Sequence, residues 1–231
     1  MKVAIIPARG GSKRIPRKNV KPFCGKPMIN WSIEAAQQSE CFDLIIVSTD
    51  DAEIARLAEE SGAAAPFIRP PSLADDLAAT SSVIAHAIEW LNNNVSGVDL
   101  ACCIYATAPF IAAEDIRRGL QILIESKSEY AFSVTSYAFP IQRAIRINNE
   151  RRIEMLNPEY FNTRSQDLEE VWHDAGQFYW GRARSWLTET PIFSNVSTPI
   201  AIPRHRVQDI DTREDWVRAE YMFKAMQMDR S

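Results

Sequence analysis

Side chains able to handle concentrated negative charge cluster near the start of the chain. The stretch Ile6-Pro7-Ala8-Arg9-Gly10-Gly11-Ser12-Lys13-Arg14-Ile15-Pro16-Arg17-Lys18-Asn19 sets Arg9, Lys13, Arg14, Arg17 and Lys18 around two adjacent glycines. Adjacent glycines let the backbone turn tightly and bring its N–H groups close to a ligand. Main-chain donors combined with several cations suit a polyphosphate. A solvated basic turn is the simpler alternative, but five cations in ten residues directly after an apolar run weigh against it. The loop has neither Walker A nor G-x-G-x-x-G spacing, so P-loop ATPase and dinucleotide-binding readings start weak.

The second stretch lies near the other end. In Asp209-Ile210-Asp211 an extended backbone puts both carboxylates on one side and Ile210 on the other. Paired carboxylates with phosphate oxygens make a magnesium site, because magnesium takes few protein ligands and keeps waters or phosphates. The competing reading is helix capping: Thr212-Arg213-Glu214-Asp215 begins a capping box, next to which Asp211 would simply favour a helix N-terminus. Weaker candidates are His173-Asp174, as a general-base pair or a pocket contact, His86 as a packed or solvated histidine, and Cys24 as a structural thiol.

The bulk properties bound the class. A chain of 231 residues can bury a large core as one domain, 1–231, with 46% hydrophobic and 24% charged residues. No apolar run approaches a membrane span and Met1-Lys2 leads straight into a strand, so the expectation is a cytoplasmic protein with no membrane partner. Cys24, Cys41, Cys102 and Cys103 show no C-x-x-C spacing and read as reduced, mostly buried thiols. Lys2, Arg9, Lys13, Arg14, Arg17, Lys18, Lys21 and Lys26 precede the first acidic residue, Glu34. A chain of net charge −4 therefore carries −12 beyond its first 33 residues. A local cationic mouth on an acidic body suits a small anion and not nucleic acid, which calls for a broad basic face.

The elements that must position these groups alternate. Val3-Ala4-Ile5-Ile6 reads as a buried strand, and Pro27 as the start of a helix with Met28, Trp31 and Ala35 on its apolar face. Leu44 to Val47 is a second strand. Asp51 to Ser61 is a helix stopped by Gly62, and Ala64 to Ile68 a third strand. A helix over Ser81 to Asn92, a strand over Leu100 to Tyr105, a helix over Ala113 to Ser126 and a strand over Tyr130 to Tyr137 follow. The alternation predicts an α/β fold: a mainly parallel sheet with helices on both faces. Ligands bind such sheets at the carboxyl ends of the strands, which directs attention to loops 7–19, 48–51, 69–82 and 106–112. From Pro140 to about Trp172 the rhythm breaks, with a hairpin turn around Ile145 to Glu150. It resumes at Gln177 to Trp180 and Ile200 to Ile202 and ends in a long helix from Arg213.

The first loop closely resembles the first motif of the CMP-sialic acid synthetases, the acylneuraminate cytidylyltransferase family. Arg69-Pro70-Pro71-Ser72-Leu73-Ala74-Asp75-Asp76 is similar to a second family motif, and Asp209-Ile210-Asp211 to its metal motif. The middle motif, Gln-Pro-Thr-Ser-Pro in the family, is Tyr105-Ala106-Thr107-Ala108-Pro109 here, keeping only Thr107 and Pro109. The resemblance implies a Rossmann-like nucleotidyltransferase fold and transfer of CMP from CTP to a nine-carbon 2-keto acid sugar, with Mg2+. It implies nucleotide contacts from Ala8, Arg9, Gly10, Gly11, Ser12, Lys13, Asn19, Arg69, Asp76, Thr80 and Ser82. Which of Thr80, Ser81 and Ser82 touches the nucleotide stays open. Lys18, Asp209 and Asp211 would be catalytic, the two aspartates holding the metal. Sugar contacts would come from Tyr105, Thr107, Gln177, Phe178, Tyr179 and Arg164. Residues 140–172 match an arm that reaches over the partner's site in a homodimer; otherwise the Arg164 segment is a disordered polar loop.

The departures fall where the family holds its sugar. Tyr105, Ala106, Ala108, Phe110 and Ile111, with Phe178, Tyr179 and Trp180, suggest an aromatic, less polar pocket; as core residues they would say nothing of the sugar. The stretches Phe139-Pro140-Ile141-Gln142-Arg143 and Asp174 to Gly181 resemble the branch that activates pseudaminic acid, a sugar with a terminal methyl and a second acetamido group. Alternatives are a sialic or legionaminic acid, an eight-carbon keto-sugar, or a non-catalytic anion-binding module.

Overall fold

The computed structural model describes residues 1–75 and 78–228. In chain order the elements are β1 (Lys2–Pro7), β2 (Pro22–Phe23), β3 (Lys26–Pro27), α1 (Met28–Ser39), β4 (Leu44–Ser48), α2 (Ala52–Glu60), α3 (Thr80–Asn94) and β5 (Leu100–Ile104). There follow α4 (Ala113–Ser126), β6 (Tyr130–Ser136), β7 (Ile145–Ile147), β8 (Ile153–Met155), β9 (Trp172–Arg182), α5 (Ala183–Leu187), β10 (Ser197–Ala201) and α6 (Arg213–Met228).

Six strands form one sheet in the order β10-β6-β9-β5-β1-β4. All neighbours are parallel except those of β9, which runs antiparallel to both β5 and β6. The carboxyl ends of five strands therefore share one edge with the amino-terminal half of β9. The apolar run of β1 is buried on both sides because its alternate residues feed different cores. Ala4 and Ile6 join Ile29, Ile33, Ile54, Ile116 and Leu123 under α1, α2 and α4. Val3 and Ile5 join Ile84, Ile88, Leu91 and Trp186 under α3 and α5. Gly119 on α4 is where helix and sheet come closest: a Cβ there would stand 2.8 Å from Phe178 and Trp180.

Two expectations are corrected. Ala64 to Ile68 is not a strand; only isolated bridges join Ala64 to Ile46 and Ile68 to Thr49. Pro66 between them has no N–H to give a ladder. The strand expected at Gln177 starts at Trp172, and the segment between β6 and β9, residues 137–171, lies outside the main sheet. That segment carries the β7–β8 hairpin, paired Ile145 to Met155 and Ile147 to Ile153.

A third apolar cluster bears directly on function. Ile15 from the first loop and Ile210 from the Asp-x-Asp segment pack together with Phe23, Met28, Phe110, Trp216 and Phe223. Phe23 lies edge-on to Trp216 and Phe223, at 5.3 and 5.5 Å between ring centres. Two stretches nearly 200 positions apart are thus fixed against each other by burial.

Candidate active site

At the carboxyl edge of the sheet lies a cleft with two lobes. The larger, about 480 Å³, is lined by Arg9, Ser12, Lys13, Arg14, Lys18 and Asn19 on one wall. Tyr105, Ala106 and Thr107 form another, and Asp211 closes it. The smaller, about 260 Å³, is lined by Arg69, Leu73, Asp75, Ala78, Thr80 and Val83. Pro7, Arg9 and Tyr105 border both, so the lobes adjoin.

The cationic wall meets the acidic one directly. Lys18 Nζ donates to the Ile210 carbonyl at 2.6 Å and reaches Asp211 Oδ1 at 3.3 Å, and Arg14 pairs with Asp211 Oδ2 at 2.8 Å. Ile210 is buried, while Asp211 lines the cleft and Asp209 does not. Capping does not account for Asp211. Thr212 and Asp215 make the capping box: Thr212 Oγ1 accepts from Asp215 N at 3.2 Å, and Asp215 Oδ2 accepts from Thr212 N at 2.8 Å. Asp209 is exposed, yet desolvation of its carboxyl and the nearby Asp211 charge raise its pKa against the pull of Lys18. Among the described residues no three His, Cys, Asp or Glu side chains converge as a metal cage. Two neighbouring carboxylates beside a cationic cleft nevertheless fit a hard cation that draws its other ligands from phosphate and water.

The first loop is braced from within. Asn19 Nδ2 donates to the Arg9 carbonyl at 2.9 Å, and Asn19 itself is buried. Gly10 N–H donates to Asp50 Oδ1 at 2.9 Å and Ser12 N–H to Gly10 O at 3.0 Å. These two N–H groups are therefore bonded within the chain and are not aimed into the cleft, contrary to the expected cradle. Gly11 is exposed with open space around it. Ala8 is a buried strand-end residue whose N–H bonds to Ser48 O at 2.9 Å, so its side chain does not reach the cleft. Glycine is needed at position 10: a Cβ there would stand 2.6 Å from Asp51 Oδ2.

Arg69 lines the smaller lobe but is only 4% exposed. Its guanidinium donates to the Ser48 carbonyl, to Ser48 Oγ at 3.1 Å and to Leu73 O at 3.4 Å. Burial pushes its pKa down to about 10, with Asp50 opposing and Arg9 adding to the fall. Of the hydroxyl candidates, Thr80 lines the lobe while Ser82 turns away and donates to Glu189 at 2.8 Å. Asp76 lies outside the described residues.

Tyr105 and Thr107 line the larger lobe, and Ser32 Oγ holds the Tyr105 carbonyl at 2.7 Å. The other expected sugar contacts are elsewhere. Phe178 is 0% exposed in the core because it points to the α4 side of β9. Gln177 is buried, and its amide donates to Arg206 O at 2.6 Å. Tyr179 packs behind Tyr105, with ring centres 5.4 Å apart, and its hydroxyl donates to Asp174. Arg164 lies in the arm, 73% exposed and paired with Asp167 at 2.7 Å. His173 and Asp174 do not form a base pair of side chains: His173 Nδ1 contacts the Asp174 carbonyl at 2.8 Å and its ring packs on Tyr137. Cys24 is partly buried, which raises its thiol pKa, as suits a structural role. Asp50 and Asp51 brace the loop and Arg14 pairs with Asp211, roles that composition and spacing do not reveal; Asp-Asp after a strand end is the one sequence signal for the two aspartates.

A sheet of this order with a basic β1 loop and an acidic pair at its carboxyl edge defines a nucleotidyltransferase-type cleft. The chain belongs to the cytidylyltransferase family, whose model matches residues 3–223. It is 43% identical to the pseudaminic acid cytidylyltransferase of Campylobacter jejuni over 96% of both chains. It is 33% identical to the CMP-N,N'-diacetyllegionaminic acid synthase of Legionella pneumophila over 97% of both. In fold it is similar to a CMP:2-keto-3-deoxy-manno-octonic acid synthetase complexed with CTP, with TM-score 0.72 and 17% identity over 97% of this chain and 99% of that one. The mainly parallel sheet with helices on both faces is thus a nucleotidyltransferase fold.

Proposed function

We propose that the protein couples CTP to pseudaminic acid, giving CMP-pseudaminic acid and pyrophosphate. The observation that carries the reading is the meeting of Lys18 and Arg14 with Asp211 at the mouth of a two-lobed cleft, in a chain of this family. The smaller lobe, with Arg69, Asp75 and Thr80, suits cytosine and ribose, and the cationic lobe suits the triphosphate. The choice of sugar rests on the similarity to the Campylobacter enzyme and on the aromatic and small residues Tyr105, Ala106 and Ala108 near the cleft.

In the reaction the anomeric hydroxyl of the sugar attacks the α-phosphorus of CTP. The new bond is oxygen to α-phosphorus, the bond to the β-phosphate oxygen breaks, pyrophosphate leaves and the hydroxyl proton is lost. Little covalent chemistry falls to the protein, so catalysis is positioning and charge stabilisation. Arg9, Lys13 and Lys18 hold the triphosphate, with Ser12 as a neutral donor and Asn19 keeping the Arg9 backbone in place. Asp209 and Asp211 would hold Mg2+, which supplies charge neutralisation at the phosphates. Arg14 pairs with Asp211 in the structure and would have to release that carboxylate for it to hold a cation.

Assembly as a homodimer belongs to the same reading. Phe139, Ile147, Ile153 and Phe161 in the arm are 83%, 73%, 69% and 69% exposed, an apolar surface that a second copy would cover. Arg164 would then reach the sugar of the partner's site. Among the described residues no helix is long and apolar enough to cross a membrane. The test is pyrophosphate release from CTP with and without pseudaminic acid. One pyrophosphate per CMP-sugar, dependent on sugar and on a divalent cation, is expected. No release with any 2-keto acid sugar, together with salt-sensitive binding of RNA, would instead identify an anion-binding module.

A further inference from the structure

Arg17 sits among the cations of the first loop, yet it does not line the cleft. Its guanidinium turns the other way and grips the start of α2. It donates to Asp51 Oδ2, to Asp51 Oδ1 at 3.2 Å and to Glu53. Asp51 is already the N-cap of α2, accepting from Glu53 N and Ile54 N at 3.0 Å each. The same carboxylate lies so close to Gly10 that a Cβ there would strike it. One aspartate thus touches the loop at its glycine, at its arginine and at the helix that anchors both.

The backbone at Arg17 explains why its neighbours diverge. Its φ is +57°, in the left-handed region where an arginine is uncommon. The carbonyl of Arg17 accepts from Val20 N at 3.1 Å and from Lys21 N at 3.0 Å, which fixes this turn. Across it Arg17 faces α2, while Lys18 faces the cleft and Asp211. A bidentate arginine–carboxylate contact fixes orientation as well as distance.

We infer that Arg17 is a positioning residue: clasped by Asp51 and Glu53, it sets the Gly10–Ser12 turn and aims Lys18 at the triphosphate. The inference rests on the triphosphate reading of the cleft for its effect on turnover, but not for the clasp itself. A direct phosphate ligand would make Arg17 and Asp51 independent of each other; a clasp makes them one unit.

The experiment compares Arg17→Asn, Asp51→Asn and the double variant, with Glu53→Gln as a milder probe. Asparagine tolerates left-handed φ and is a good N-cap, so these changes remove the clasp without adding strain or uncapping α2. Two readouts are used: amide hydrogen exchange of residues 9–19, and KM for CTP against KM for pseudaminic acid. Each single variant is expected to speed exchange in the loop and to raise KM for CTP by about tenfold. KM for the sugar and Tm should stay near wild type. The double variant should be no worse than the worse single one. Loop exchange equal to wild type in Arg17→Asn would overturn the inference, as would CTP effects that multiply in the double variant. Exchange remains informative even if the protein turns over no CTP, so failure of the clasp and failure of the proposed reaction are told apart.

Discussion

The first loop and the arm are both polar-looking departures from the regular fold, and they are built in opposite ways. The loop, residues 8–19, is tied at every turn: Asn19 to Arg9, Gly10 to Asp50, Arg17 to Asp51, Lys18 and Arg14 to Asp211. Ile15 seals it into the same apolar cluster as Ile210. The arm between β6 and β9 instead leaves large apolar side chains on its surface, and its ion pairs, Arg146 with Glu154 and Arg164 with Asp167, are local. Opposite charges brought from distant parts of the sequence make a site; apolar groups left uncovered make a surface for something else.

Breaking the loop at its acidic partner should have the largest consequence. Asp211→Asn removes a carboxylate from the cleft while Thr212 and Asp215 still cap α6. A fall in kcat of about 10³-fold, with circular dichroism unchanged, is expected. Near-normal turnover at saturating magnesium would remove Asp211 from the mechanism. Lys18→Ala should follow, with about a 10²-fold loss in kcat/KM, read from steady-state kinetics over CTP concentration.

The arm is tested by charging its paired exposed isoleucines. Ile147→Asp with Ile153→Asp should shift the protein from dimer to monomer in light scattering, lower turnover and leave the melting temperature of the main sheet unchanged. A wild-type protein that is monomeric at micromolar concentration and fully active would remove the arm from the site. Smaller again is the effect of Tyr105→Gln at the wall between the lobes. Apolar contacts contribute roughly 1–3 kcal/mol per group, so discrimination between pseudaminic and sialic acid should narrow by about tenfold.

The smallest effect concerns acid stability. Hydrogen bonding to Arg17 is the main cause holding the Asp51 carboxyl below its ordinary value of 3.8. A folded pKa below the unfolded one stabilises the fold above that ordinary value, and the contribution is lost as pH falls through the folded value. Melting temperature should therefore drop less in Arg17→Asn than in wild type between about pH 5 and about pH 2. The groups are partly exposed, so the difference is a fraction of the total acid sensitivity.

Much of this comparison is legible in the sequence. Hydrophobic periodicity located β1, β4, β5 and α4, because those runs are buried on the faces their spacing implies. The failure at Ala64 to Ile68 came from reading apolar content over a proline that cannot pair. Phe178 looked like pocket because strand alternation says which residues share a face, not which face meets a ligand. Arg17 could be counted only as one of five loop cations, because charge density carries no direction. Its left-handed turn, which sends it to Asp51 and its neighbour to Asp211, exists only in three dimensions.

The central claim is the reaction and its sugar. The direct measurement is kcat/KM for pseudaminic, legionaminic and sialic acids side by side, at fixed CTP and magnesium, read as CMP-sugar formed. Pseudaminic acid is expected to exceed sialic acid by at least about tenfold, since its methyl and second acetamido group would suit an aromatic wall at Tyr105. Equal or better turnover of sialic acid by the unmodified protein would contradict the account.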